Sequence, residues 1–179
     1  MSPLPTLYRP SLALLTDLYQ LTMAYGYWKS GRHETDAVFH LYFRRNPYDG
    51  AFALTAGLDR AIEFIQQFRF SAGDLAYLEK LGLDDEKIPL WEPDFLRYLR
   101  ELRLECSVYA VPEGTVFFAN EPMVRIQGPL LQCQLLETPL LNFLNFATLI
   151  ATKAARVCMS TAGGSVLEFG LRRAQGIDG

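Results

Sequence analysis

The sequence predicts a mixed α/β fold with a small antiparallel sheet, followed by the opening of a βα barrel. Three observations carry this reading. The segments run in the order helix, strands and helices, then a small sheet, then helix and strand. Short β segments between residues 106 and 126 are split by Pro112-Glu113-Gly114 and Asn120-Glu121-Pro122, the punctuation of an antiparallel sheet. A long apolar stretch from Leu130 to Met159 then runs into a Gly-rich break and a last strand-like segment, Val166 to Arg172. Helix followed by strand is how a βα barrel begins.

Each element follows from local pattern. Residues 1 to 10 carry three prolines and read as an arm. Thr16 or Asp17 is placed to cap a helix through Leu-Tyr-Gln-Leu-Thr-Met-Ala-Tyr, ending near Gly26 or Gly31. Ala37 to Phe43 alternates as a strand, with Val38, His40 and Tyr42 opposite Phe39, Leu41 and Phe43. Asn46 to Gly50 is a turn, and Ala51 to Thr55 a second strand. Gly57 to Phe68 reads as a helix with Leu58, Ala61, Ile62 and Ile65 on one face. Residues 71 to 104 read as charged helix, with Ser71 and Asp74 as caps and Pro89 and Pro93 as interruptions. The apolar stretch from Leu130 spells a helix kinked at Pro139. Thr161 to Ser165 ends it. A lone strand at 166–172 has no partner of its own, which points to a fragment of a larger enzyme.

Composition excludes several classes. The 179 residues are 50% hydrophobic, 13% aromatic and 21% charged, against intrinsic disorder. No unbroken apolar run reaches the length of a membrane helix, since Glu137, Asn142, Asn145 and Lys153 interrupt the longest candidate. No secretory signal is visible at the N-terminus. The formal net charge of −3 argues against a general nucleic-acid or anionic-membrane surface. Cys106, Cys133 and Cys158 are odd in number and widely spaced, with no CxxC, so a reducing cytosol is the default compartment.

Standard catalytic motifs are missing: GxSxG, GxxxxGK[ST], HExxH and GxGxxG do not occur. His33 and His40 read as structural, and Cys158 is the best of three weak candidates for a nucleophile. Two arginine pairs stand at strand ends before turns, Arg44-Arg45 and Arg172-Arg173. Guanidinium matches phosphate and carboxylate oxygens, so an anion site and a solvated surface pair both remain open. Tyr19 on its helix and Phe169 in the last strand read as core or interface aromatics, and Gly170 suggests a close approach to the backbone.

Four ordered segments together are more specific. LLTDLYQLTMAYGYWKSGR, FRRNPYDGAFALTAGLDRAIEFI, PEGTVFFANEPMVRIQGPLLQCQLLETPLLNF and LEFGLRRAQGIDG resemble nicotinate phosphoribosyltransferases, from Leu14 to Gly179. The resemblance implies the type II phosphoribosyltransferase fold. Residues 1–130 would form an N-terminal α/β domain, and residues 131–179 the long helix and first strand of an incomplete irregular βα barrel. It also implies a cytoplasmic homodimer that makes nicotinate mononucleotide and pyrophosphate from nicotinate and phosphoribosyl pyrophosphate. ATP would be the coupled cosubstrate, with Mg²⁺ on the pyrophosphate. By resemblance Tyr19 and Phe169 flank the pyridine ring, while Arg172 and Arg44 meet phosphates, with Arg45 the alternative to Arg44 by one position. The family's Gly-Thr-x-x-His-Ser phosphohistidine motif does not occur here, so the catalytic residue is unassigned and the isolated chain is expected to be inactive. A nicotinamide-specific relative and a non-catalytic module of the same fold are the competing readings.

Overall fold

The computed structural model describes residues 11–83 and 88–175. The expected arm at residues 1–10 lies outside them. In chain order the elements are α1 (Leu18–Lys29), β1 (Asp36–Leu41), β2 (Ala53–Leu54), α2 (Leu58–Gln67), α3 (Ala72–Glu79), β3 (Gly82–Leu83) and β4 (Ile88–Pro89). There follow α4 (Pro93–Glu101), β5 (Ser107–Ala110), β6 (Val116–Phe117), β7 (Val124–Pro129) and α5 (Leu130–Ser160). Single 3₁₀ turns occupy Pro47–Asp49 and Leu171–Arg173. The chain divides into two compact units, one of residues 1–38, 62–107 and 127–139, the other of residues 39–61, 108–126 and 140–179.

The first unit is built on aromatic packing. Tyr25 and Trp28 of α1 meet Phe95 of α4 at ring-centroid distances of 5.1 and 5.5 Å, and Trp91 adds a third contact at 5.8 Å. Phe95 and Leu99 are fully buried. Pro93 does not interrupt a helix, as the sequence reading had it. It occupies the first turn of α4, where its missing N–H costs nothing and its fixed φ suits the helix. Residues 82–83 and 88–89 form a short antiparallel pair rather than helix, Gly82 opposite Pro89 and Leu83 opposite Ile88. At α3 the expected caps cooperate. The Ser71 hydroxyl accepts from the Asp74 N–H, and the Asp74 carboxylate accepts from the Ser71 N–H at 2.8 Å, a capping box. Asp17 stands at the N-cap of α1 without a side-chain bond.

The second unit depends on threonines. β2 pairs antiparallel with β6, Ala53 opposite Phe117 and Leu54 opposite Val116. At only two residues, β2 needs partners beyond its neighbour. Thr152 of α5 accepts from the Leu54 N–H at 2.9 Å, and the Thr148 hydroxyl lies 3.3 Å from both the N–H and the carbonyl of Ala56. Both threonines are fully buried, so these bonds satisfy groups that water does not reach. The Glu113 carboxylate accepts from Leu58 N–H at 2.6 Å and covers the first turn of α2. Gly57 has φ +93°, and a Cβ there would run into the Phe143 carbonyl and the Ala147 methyl.

The sheet differs from expectation in its partners. The three β segments after residue 106 do not form one sheet of their own. β7 is central between β1 and β5, and β6 leaves to pair with β2. Leu41 opposite Met123 and Thr35 opposite Leu130 make the β1–β7 pairing antiparallel. Turn chemistry locates strands but not the partners they find across long sequence separations.

A further expectation changes. Val166 to Arg172 is not a strand: residues 164–170 have no regular structure and Leu171–Arg173 is a 3₁₀ turn. Among the described residues nothing pairs with this segment, and an unpaired strand leaves its backbone without ladder bonds. α5 continues past Pro139 as one helix of 31 residues. Among the described residues α5 is long and apolar enough by composition to cross a bilayer, with mean hydropathy 1.2 over 18 residues.

Replacing Ser71 with Ala removes half of the capping box and is expected to cost about 1 kcal/mol in denaturant unfolding of the full-length protein. Thr152→Val keeps the shape but orphans the Leu54 N–H, for an expected loss of roughly 1–3 kcal/mol by the same measurement. A Thr152→Val protein as stable as wild type would show that α5 does not satisfy β2.

Candidate functional site

Tyr19 lies on the second residue of α1 and is 51% exposed. Its neighbour Gln20 is fully buried. The helix places these two on different faces, one toward solvent and one toward the core. The Gln20 amide nitrogen donates to the Tyr19 hydroxyl at 3.0 Å and to Glu137 Oε2 at 2.7 Å. Its carbonyl oxygen accepts from the Gln134 amide, which itself lies 3.4 Å from Glu137 Oε2. Glu137 and Gln134 come from α5, more than a hundred residues along the chain. Two buried amides and the half-buried Glu137 carboxylate thus form a network that holds the phenol oxygen while the ring stays open. Tyr19 therefore lies outside the core that this chain builds.

Arg44, Phe169 and Arg172 belong to the second unit. Arg44 and Arg45 are both exposed just past β1, where Phe43 accepts a backbone bond from Asn120 at 2.7 Å. Phe169 is 79% exposed, where the sequence reading put a buried strand residue. Arg172 is exposed on the 3₁₀ turn. What approaches the Gly170 backbone is the neighbouring Glu168 carboxylate, which accepts the Gly170 N–H. Among the described residues Arg44, Phe169 and Arg172 share no hydrogen bond, ion pair or ring contact. The side chains present an open ring and two guanidinium groups, which suit a planar or anionic ligand.

Sequence reasoning missed two features. The Gln20–Gln134–Glu137 network was hidden because an interrupting Glu in an apolar helix looks like a breaker. The signal was there in the polar residues at Gln134 and Glu137, three apart on one face. The second is an open depression of about 300 Å³ lined by Tyr48, Lys153, Arg156, Val157 and Ser160. There Arg156 donates to the Tyr48 carbonyl at 3.0 Å, and Tyr48 and Asp49 hold positive φ of 59° and 49°. The Tyr48 hydroxyl donates to the Leu149 carbonyl at 3.0 Å, fixing the turn to α5. The His33 ring lies 5.3 Å from that of Tyr98, with Nε2 3.6 Å from Glu34 Oε1. The Tyr98 phenol is pushed upward in pKa, chiefly by burial and then by the Glu34 carboxylate. No group of three or more His, Cys, Asp or Glu side chains that would hold a metal occurs among the described residues.

Comparison with known proteins follows the same segments. The family profile for the nicotinate phosphoribosyltransferase (NAPRTase) N-terminal domain matches residues 14–145. The chain is 49% identical over 168 residues to a nicotinate phosphoribosyltransferase of Dictyostelium discoideum, covering 93% of this chain and 28% of that protein. The Bacillus subtilis nicotinate phosphoribosyltransferase is 47% identical over 169 residues, covering 94% and 33%. The crystal structure of human nicotinic acid phosphoribosyltransferase superposes with a TM-score of 0.79 at 48% identity, covering 92% of this chain and 32% of that one. The chain thus spans about a third of the length of these relatives. Its mixed α/β architecture with small antiparallel sheets is that of the type II phosphoribosyltransferases. On these grounds the chain belongs to the nicotinate phosphoribosyltransferase family.

Proposed function

We propose that this chain supplies the pyridine platform and part of the phosphate-binding surface of an enzyme that converts nicotinate and phosphoribosyl pyrophosphate to nicotinate mononucleotide and pyrophosphate, in salvage synthesis of NAD. The observation that carries this reading is Tyr19, whose ring is open while its hydroxyl is held from beneath by Gln20. A held ring offers a flat π face with little ordering left to lose on binding. Phe169 is the opposing ring in this reading, and Arg172 and Arg44 neutralise the phosphates of the donor.

Phosphoribosyl transfer develops positive charge at the ribose carbon as pyrophosphate departs. Oriented cations on the leaving group and a fixed nucleophile are what lower that barrier. Arginines provide the first and an aromatic clamp the second. Mg²⁺, where the reaction uses it, would supply positive charge to the departing pyrophosphate beside the arginines. ATP acts as cosubstrate at a histidine that this sequence does not contain in the family's motif. We further propose that α5 is a core helix rather than a membrane span. Its buried Gln132, Gln134, Thr148 and Thr152 are turned to partners within the chain. A cytoplasmic homodimer, with Tyr19 reaching the partner's site, and no nucleic-acid partner complete the reading.

In the full-length enzyme Tyr19→Phe is expected to keep most activity, because the ring face does the binding. Tyr19→Ala is expected to raise the nicotinate KM by about tenfold, combining the stacking term with lost contact area, while thermal stability stays near wild type. A Tyr19→Ala enzyme that is destabilised with normal nicotinate dependence would return Tyr19 to a structural role. Mixing Tyr19→Ala chains with chains inactivated at the phosphorylated histidine is expected to restore one working site per heterodimer.

Arg172→Ala is expected to raise the KM for phosphoribosyl pyrophosphate roughly ten- to a hundredfold with little change for nicotinate, from loss of a charge-assisted contact. An unchanged donor dependence would remove Arg172 from the site. Residues 1–179 alone, purified free of host enzyme, are expected to form no nicotinate mononucleotide.

A further inference from the structure

Cys106 and Cys133 are 27 positions apart in sequence, yet their sulfurs stand 3.8 Å apart. Cys133 is fully buried near the start of α5, and Cys106 is half-buried just ahead of β5. The contact is held from several sides. The Gln132 side-chain oxygen accepts from the Glu105 N–H at 2.7 Å and lies 3.7 Å from Cys106 Sγ. Gly128 packs so closely on Cys106 that a Cβ there would lie 3.0 Å from both its Cα and its Sγ. Cys133 Sγ also faces the Gly128 carbonyl at 3.6 Å and the Ala37 carbonyl at 3.9 Å. Two sulfurs at van der Waals contact must close to about 2.05 Å to bond, a movement of the side chains toward each other across an existing contact. No metal ligand set surrounds them among the described residues, so metal binding does not explain the pair.

We propose that Cys106 and Cys133 are a redox pair that closes to an intrachain disulfide when the protein meets a hydroperoxide. The half-exposed Cys106 is the sulfur that oxidant reaches. Its S–O bond forms as the peroxide O–O bond breaks, giving a sulfenic acid and one water. Cys133 sulfur then attacks Cys106 sulfur, the S–O bond breaks, and a second water leaves. Two thiols and one hydrogen peroxide become one disulfide and two waters. The hydrogen bond shared by the two sulfurs raises the Cys106 pKa and lowers that of Cys133, so thiolate character lies on Cys133, the attacking sulfur of the second step, while access rather than acidity selects Cys106 for a slow first step. The bond would fasten the first turn of α5 to the segment entering β5. Cys158, exposed near the end of α5, has no such neighbour among the described residues and serves as an internal reference.

The test treats the full-length protein with hydrogen peroxide, blocks remaining thiols under denaturing conditions, digests without reduction and maps the peptides by mass spectrometry. The expected result is one linked peptide pair joining Cys106 to Cys133, two hydrogens lighter than the separate peptides and reversed by dithiothreitol. It is expected in wild type and in Cys158→Ser. Cys133→Ser is expected to leave Cys106 as a sulfenic acid that dimedone captures. Fully blocked Cys106 and Cys133 at a peroxide level that has oxidised Cys158 would overturn the proposal, as would a Cys106 found joined only to Cys158.

Discussion

One helix imposes most of the conditions that the rest of the chain meets. α5 is 31 residues long and largely apolar, yet it buries four polar side chains, Gln132, Gln134, Thr148 and Thr152. A buried polar atom without a partner is costly, so each of these dictates what must lie beside it. Gln132 receives the Glu105 N–H, Thr152 receives Leu54, Thr148 brackets Ala56, and Gln134 bonds Gln20. The two-residue strand β2 exists in this form because α5 completes its hydrogen bonding. The open ring of Tyr19 rests on the same helix through Gln20 and Glu137.

That dependence explains what the sequence made legible. Elements governed by local pattern were readable: α1, α2, α3 with its Ser71–Asp74 box, and α5 itself. Their signals are periodicity and capping, which act over a few residues. Partner choice was not readable. β6 leaves β5 and β7 for β2, whose own ladder is too short to announce itself. The 82–89 pair is two residues on each side, below any periodicity. Pro93 carried two meanings, stop or start, and the aromatic packing of Phe95 against Tyr25 and Trp28 decides for start.

The candidate site residues entered by a different route. The roles of Tyr19, Arg44, Phe169 and Arg172 came from resemblance; local pattern alone read Tyr19 as a core or interface aromatic and Phe169 as core, and left the arginine pairs open between an anion site and a solvated surface. The structure leaves both rings exposed. What neither pattern nor resemblance supplied was the support beneath Tyr19 and the meeting of Cys106 with Cys133. Both join residues far apart in sequence, through side chains that look unremarkable singly. Val166 to Arg172 shows the converse: β-prone residues do not make a strand where nothing pairs with their backbone.

The reading of Tyr19 as a platform for the pyridine ring ties the family, the exposed face and the buried network together. A crystal structure of the full-length protein with nicotinate bound tests it most directly. The account predicts the pyridine ring stacked on the Tyr19 face with the Gln20 amide still bonded to the phenol oxygen. Nicotinate bound with no atom in contact with Tyr19 of either subunit would contradict it.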